Sequence, residues 1–274
     1  MNFKVNKEKC VKCGKCSSDC PVMIIDRKTE FPTIKEGKEG NCLKCQHCLA
    51  ICPTGAISIF GKEPENSIPV KELNLIPVEL EKLMQTRRSV RKFTDEEIDK
   101  EIIDHLISMA DYAPSAQNKK ELHFTVVDNK KDMNKLRELT YNSIKKAVEE
   151  NKISENRMFL GNFQEMWEEK HIDVIFRDAP YLLLVSVPKN GICTDVDASI
   201  AMTYFDLIAS ANDIGTLWDG FAKIVFEDTC PEIKKSIGVP ENNKIACVLL
   251  FGKTGIKYSR SIQNNMPEIN RVSL

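Results

Sequence analysis

Cys10-Val11-Lys12-Cys13-Gly14-Lys15-Cys16, followed by Cys20-Pro21, returns as Cys42-Leu43-Lys44-Cys45-Gln46-His47-Cys48, followed by Cys52-Pro53. Each cysteine of the first run recurs 32 positions later, so the segment is a duplicated unit rather than a scatter of thiols. Eight of the chain's 11 cysteines lie in these two runs. Cysteines at two-residue gaps in one short loop read as ligands of a shared centre.

The spacing C-x2-C-x2-C-x3-C-P resembles that of the bacterial two-cluster ferredoxins. The resemblance implies two 4Fe-4S clusters and a crossing of ligands, the fourth cysteine of each run serving the other cluster. Cys10, Cys13, Cys16 and Cys52 would then hold one cluster, and Cys42, Cys45, Cys48 and Cys20 the second. The competing reading is a pair of zinc sites, which usually join two C-x2-C knuckles across a longer gap. A third cysteine at the same short gap and a fourth before proline favour clusters. His47 lies inside the second run, but a complete cysteine set leaves it no ligand role and it reads as a loop side chain. Around these runs, Met1 to Gly61 carries ten Lys or Arg against six Asp or Glu. That excess would offset the negative charge of thiolate-bound clusters; for any single lysine a solvated surface is an equal reading.

The whole chain has 274 residues, 42% apolar and 29% charged, with a formal net charge of −1. This length suits one small and one ordinary domain. It lacks the basic excess that nucleic-acid binding needs, has no apolar run long enough for a bilayer, and begins with a charged rather than apolar segment. A cytoplasmic protein without nucleic-acid or membrane partners is expected. Cys193, Cys230 and Cys247 stand apart, and Cys247, inside Ile245-Ala246-Cys247-Val248-Leu249-Leu250, reads as a small core residue.

The domains divide as 1–61 for the cysteine module, 62–77 for a linker rich in proline and polar breakers, and 78–274 for the larger domain. From Val78 the pattern is helical and runs into Arg87-Arg88-Ser89-Val90-Arg91-Lys92-Phe93. Thr94-Asp95-Glu96-Glu97 has capping-box spacing ahead of the stripe Ile98, Ile102, Leu106, Met109 and Ala110, which predicts a helix closing near Pro114. Further on, 122–128, 181–187 and 244–251 read as strands, and 131–151 and 197–213 as helices. The fold class is α+β, with helices around a central antiparallel or mixed sheet.

Four segments, in order, make the larger domain resemble the nitroreductase family: Arg87 to Phe93, Ala113-Pro114-Ser115-Ala116-Gln117-Asn118, Gly215-Thr216-Leu217-Trp218-Asp219-Gly220-Phe221, and Gly252 to Arg260. The resemblance implies an FMN-dependent oxidoreductase, with Arg87, Ser89 and Arg91 on the flavin phosphate, Arg88 beside them, and Lys257 and Arg260 closing that site. Guanidinium groups and a hydroxyl suit a phosphate because they give charge-assisted hydrogen bonds. Asn118 would reach the flavin by its side-chain amide, and the Asp219-Gly220 backbone would face the flavin's N5 and O4. Where the family often has Gln-Pro-Trp, this chain has Lys119-Lys120-Glu121-Leu122. The apolar group Met158, Phe159, Phe163, Met166 and Trp167 reads as a packed helix or a lid.

No hydrolytic triad or paired-carboxylate set stands out, so the flavin itself would do the chemistry. The expected function is transfer of electrons from the clusters through FMN to a small organic acceptor such as a nitroaromatic, quinone or activated alkene, in a homodimer. Direct use of NAD(P)H with the clusters as electron exit, and a non-catalytic redox sensor or carrier, are the alternatives. Ferredoxin or NAD(P)H is the expected donor.

Overall fold

The computed structural model describes residues 1–70, 73 and 76–273. The chain divides into two compact units, Met1–Leu75 with Gln117–Lys119, and Ile76–Ala116 with Lys120–Leu274.

In the first unit the duplication is visible in the backbone. Helices α1 (Lys15–Ser18) and α2 (His47–Ala50) occupy equivalent positions and each carries the third cysteine of its run. Their N-caps, Gly14 and Gln46, are both left-handed, with φ of 72° and 60°. Lys12 and Lys44 (φ 55° and 54°), and Met23 and Gly55 (φ 53° and 60°), repeat the match. Left-handed backbone is disfavoured for side chains with a Cβ, so its retention at Lys12, Lys44, Gln46 and Met23 marks the loop conformation as the thing preserved. Strand β1 (Phe3–Val5) pairs antiparallel with β4 (Ile57–Ile59), and β2 (Ile25–Asp26) with β3 (Thr33–Ile34). The core beneath is small, built on Ile24, Ile25, Leu49, Ile57 and Ile59 together with Cys16 and Cys48.

Lys62 stays with the first unit, its carbonyl accepting from the Ile59 amide (3.2 Å), and Lys9 pairs with Glu65 at 2.6 Å. The division of units falls at Ile76. Residues 71, 72, 74 and 75 of the expected linker, and residue 274, lie outside the described residues.

The second unit is a four-stranded antiparallel sheet between two layers of helices. Its elements are α3 (Pro77–Thr86), α4 (Lys100–Ala110), β5 (His123–Val127), α5 (Lys130–Glu149), α6 (Phe159–Lys170), β6 (Tyr181–Pro188), α7 (Thr194–Ala211), β7 (Ile214–Trp218), α8 (Gly220–Ile224), α9 (Glu232–Ser236) and β8 (Asn243–Lys253). Strand order is β5-β6-β8-β7. Because both faces are covered, β6 is buried from Tyr181 to Val187, apolar apart from Ser186, rather than alternating. Leu182 and Leu184 point to the layer containing α5 and α6, whereas Tyr181, Leu183, Val185 and Val187 point to the layer of α4 and α7. A register shift at Val185/Ser186 marks where this alternation is adjusted against β8.

Two local expectations are corrected. The capping box at Thr94 does not form: the Thr94 amide donates to the Lys253 carbonyl (2.9 Å), the Ile98 amide donates to the Tyr181 hydroxyl (3.0 Å), and α4 starts only at Lys100. Tertiary partners outcompete the local cap. The stretch Ile214–Trp218, read only as a motif, is a full edge strand. Of the Met158–Trp167 group, Phe159 to Trp167 lie on the packed helix α6: Leu160 is fully buried, Trp167 stacks on Tyr141 with centroids 4.8 Å apart, and Phe159 and Phe163 pack on Phe221, whereas Met158 at the N-cap is exposed. No described helix is long and apolar enough to cross a membrane.

Candidate functional site

The two cysteine sets each enclose a cavity. One is lined by Cys10, Cys13, Cys16 and Cys52, with Val11, Ala56 and Ile57 among the apolar walls. The other is lined by Cys20, Cys42, Cys45 and Cys48, with Val22, Ile24 and Ile34. Each thus takes three cysteines from one run and the fourth from the other. The loops place the first and second cysteines, α1 and α2 place the third, and the β1–β4 pairing brings Cys52 across to the first run.

These thiols occupy distinct environments. Burial pushes the Cys16 thiol up, and pushes that of Cys48 up to about 11. At Cys52 burial acts in the same direction, but amide donors outweigh it and the net displacement is downward; the Ala56 amide donates to Cys52 Sγ at 3.2 Å. Buried thiols with raised pKa become thiolates readily only when a cation binds them. The residues therefore fit a metal-sulfur group: complete cysteine sets, apolar walls and an amide aimed at sulfur. Cys13 is the exposed member of the sets. Cys230 and Cys247 are buried in the second unit, as core residues, while Cys193 is exposed.

In the second unit the basic segment runs alongside β7. The Val90 amide donates to the Thr216 carbonyl at 2.8 Å, and Ser89 forms a parallel bridge with Thr216. Val90 is buried against Gly215, where an added Cβ would lie 2.8 Å from the valine side chain, so this close approach requires glycine. From the C-terminal side, Thr254 Oγ1 donates to the Lys92 carbonyl at 3.0 Å and the Tyr258 hydroxyl lies 3.5 Å from the Ser89 carbonyl.

Between these segments lies a cavity of about 490 Å³, lined by Arg87, Arg88, Lys253, Lys257, Tyr258 and Thr254 among others. Four cations around one concavity fit a phosphorylated ligand, and the volume lies within the range of small-molecule sites. Of the residues expected at the phosphate, Arg87, Arg88 and Lys257 line this cavity. Ser89 and Arg91 adjoin it in sequence without lining it; Arg91 folds back so that Nη1 donates to the Ser89 carbonyl at 3.3 Å. Arg260 is exposed and outside the lining. Glu96 and Asp213 also line the cavity and moderate its charge.

Asn118 and Asp219 lie in different surroundings. Gln117–Lys119 groups with the first unit, Asn118 is left-handed (φ 53°), and its Nδ2 donates to the Leu43 carbonyl at 3.0 Å. The preceding Ala116 amide is held by both oxygens of Asp197, each at 3.1 Å. The Asp219 amide donates to the Val248 carbonyl at 2.8 Å, so the sheet consumes it and it is not free to face a flavin. Gly220, the first residue of α8, keeps an amide with no intrahelical acceptor. The Asp219 side chain caps that helix through Oδ1 and the Ala222 amide (3.0 Å), while Oδ2 is buried without a partner. Burial pushes its carboxyl up to about 7, partly countered by the Ala222 and Phe221 amides.

Sequence reasoning missed Asp206, Thr216, Trp218 and Tyr258. Asp206 had a usable signal: it is an acid in an otherwise apolar helical stretch, and it is 4% exposed. Its oxygens take Thr216 Oγ1, Trp218 Nε1 (3.0 Å) and Arg87 Nη1 (3.4 Å).

The chain belongs to the nitroreductase family, whose family model matches residues 84–253. The model of the 4Fe-4S dicluster domain matches residues 9–57, which makes the chain a fusion of the two. A protein of Methanothermobacter thermautotrophicus, whose name joins NADH dehydrogenase and NAD(P)H nitroreductase, is 26% identical over 163 residues, 58% of this chain and 69% of the relative. Iodotyrosine deiodinase of Nematostella vectensis is 25% identical over 221 residues, 72% of this chain and 78% of the relative. Among solved structures, the FMN-bound nitroreductase of Bacteroides fragilis shares the fold, with a TM-score of 0.58, 22% identity, and coverage of 70% of this chain and 99% of that one.

Proposed function

We propose that the chain is an FMN-dependent oxidoreductase in which two 4Fe-4S clusters supply electrons to the flavin, and the flavin reduces a small organic acceptor. The observation that carries this is the pair of four-cysteine cavities, each completed by a cysteine from the other run, in a chain whose remaining length is a nitroreductase-family domain. FMN accepts electrons singly and delivers them as pairs, which suits one-electron carriers upstream and a nitroaromatic, quinone or activated alkene downstream.

The chain's own residues then divide the work. Arg87 and Lys257 bind the phosphate, with Ser89 and Arg91 adjoining. Gly220 offers a free amide at the start of α8, and its missing side chain permits close approach of the ring. Asn118, held at Leu43 by one N–H, keeps a carbonyl oxygen and a second N–H for hydrogen bonding. In the first unit, the eight cysteines hold the clusters and the lysines balance their charge. The assembly is a homodimer acting on a soluble substrate.

Anaerobic purification with iron, sulfide and flavin determination tests the composition, and paired assays with reduced ferredoxin and with NAD(P)H test the route. Protein holding clusters but no flavin would reduce the reading to that of an electron carrier. The name of the Methanothermobacter relative favours a second route, direct reduction by NAD(P)H with the clusters as exit; full turnover with NAD(P)H alone would establish it. The deiodinase relatives add a halogenated phenol to the acceptors worth assaying.

A further inference from the structure

Asp206 is an acid on α7 with almost no access to water, at 4% exposed. A buried carboxylate is costly unless its oxygens are filled by donors. Here two donors and a cation meet them: the Thr216 hydroxyl donates to Oδ1, the Trp218 indole N–H donates to Oδ2 (3.0 Å), and Arg87 Nη1 forms an ion pair with Oδ2 (3.4 Å). Both donors sit on β7, and the cation is the basic residue lining the cavity.

The same threonine holds the basic segment a second time. Its carbonyl accepts from the Val90 amide while its hydroxyl donates to Asp206. Thr216 therefore fixes the backbone of the segment and Asp206 fixes the guanidinium that emerges from it. A guanidinium has five N–H donors in a rigid fork. The ion pair with Asp206 restrains the long side chain and leaves the fork's N–H groups for a ligand.

We propose that Asp206 is a positioning residue that presents Arg87 to the cofactor's phosphate. The inference rests on the reading that Arg87 binds that phosphate, and it adds how the arginine is aimed. Through Trp218, the residue before Asp219-Gly220, the same carboxylate also ties down the turn at which the ring is expected.

Asp206→Asn is the informative change. An asparagine can still accept from the indole and exchange a hydrogen bond with the threonine, so it removes the charge that holds Arg87 and little else. The holoprotein variants Asp206→Asn, Arg87→Ala and the double variant are stripped of flavin and titrated with FMN and with riboflavin, which lacks the phosphate, following flavin fluorescence. Expected are a loss of FMN affinity of about tenfold or more in Asp206→Asn, riboflavin affinity within about twofold of the wild type, and a double variant no weaker than Arg87→Ala alone.

Equal losses for FMN and riboflavin would assign Asp206 a merely structural role, and a full further loss in the Arg87→Ala background would show that it acts independently of the arginine. Either result overturns the proposal, as does wild-type FMN affinity in Asp206→Asn. The underlying reading fails separately: it falls if Arg87→Ala alone leaves FMN affinity unchanged. If Asp206→Asn does not fold, Asp206→Glu keeps the charge but shifts it by one methylene; it should lose FMN affinity while sparing riboflavin, and parity between the two ligands overturns the proposal. Trp218 fluorescence in a Trp167→Phe background gives a readout without ligand, expected to shift on Asp206→Asn because the indole loses its charged acceptor.

Discussion

The cysteine cradles and the arginine cradle of this chain are built on opposite plans. Each cysteine set lies within 43 residues, Cys10 to Cys52, and its loop conformations are repeated at equivalent positions even where the residue changes from Gly14 to Gln46. The cavity at Arg87 draws on residues as distant as Lys257, and what aims the arginine is Asp206 on α7. A site made by covalent ligation can be short-range because each bond is strong and its geometry local. A site made by hydrogen bonds and ion pairs needs several elements to hold each donor, so its parts are dispersed.

The largest test of that contrast is Cys52→Ala. Cys52 lines the cavity of Cys10, Cys13 and Cys16, so its removal should abolish that cluster and lower iron from about eight to about four atoms per chain. The Arg87 cavity belongs to the other unit, so FMN content should stay at the wild-type level. Turnover with a small chemical reductant that reaches the flavin directly should persist, whereas turnover with reduced ferredoxin should fail. Loss of flavin along with iron would break the comparison, by showing that the two cradles are not separately built.

Asp219 tests what dispersed construction costs. Its carboxyl is buried with Oδ2 unpartnered, and burial raises its pKa from 3.8 to about 7. A raised folded-state pKa gives a contribution that is complete below about pH 4 and lost as pH rises through about 7. Asp219→Asn, which cannot ionise, should therefore gain stability relative to the wild type as pH rises. The gap between the two in denaturant unfolding should widen by a few kcal/mol from pH 5 to pH 8. A gap independent of pH would mean that the carboxyl is solvated or paired when the protein is loaded.

Arg87→Ala sharpens the comparison at the ligand. A charge-assisted contact to phosphate is worth on the order of 1.5 to 3 kcal/mol, so FMN affinity should fall by roughly tenfold to a hundredfold or somewhat more while iron content is untouched. Unchanged affinity in a flavin titration would remove Arg87 from the phosphate site.

The contrast also explains what the sequence made legible. Spacing and a family pattern carry the expected grouping of Cys20 with the second run and Cys52 with the first, and the same residues line the two cavities. Helices around a central sheet were readable in outline, since the strands near 181–187 and 244–251 are largely apolar and α4 has a helical stripe. The cap at Thr94 misled because Lys253 and Tyr181, distant in sequence, claim the amides of Thr94 and Ile98. Asp219 was read for its amide, which only the pairing of β7 with β8 reveals to be occupied. Asp206 carried a local signal in its apolar surroundings on α7, but its partners Thr216, Trp218 and Arg87 come together only in the fold.

The smallest effect is expected at Arg88, and it separates neighbours that composition treats alike. Arg88 lines the same cavity as Arg87, but its guanidinium turns back onto α3: Nε donates to the Thr86 carbonyl at 3.3 Å and Nη2 donates to the Gln85 carbonyl. These are among the last carbonyls of the helix, which lack intrahelical donors, and a cation there also complements the helix dipole. Arg88 thus serves chiefly as a C-terminal cap, whereas Arg87, anchored at a single nitrogen, keeps its fork for a ligand. Arg88→Ala should cost a few tenths of a kcal/mol to about 1 kcal/mol of stability and change FMN affinity by less than about threefold, chiefly through lost long-range attraction that disappears at high salt. Paired thermal unfolding and FMN titration at low and high ionic strength check both parts. A loss of FMN affinity matching that of Arg87→Ala and persisting at high salt would show that both arginines grip the phosphate directly, and the division of labour drawn from their hydrogen bonds would not stand.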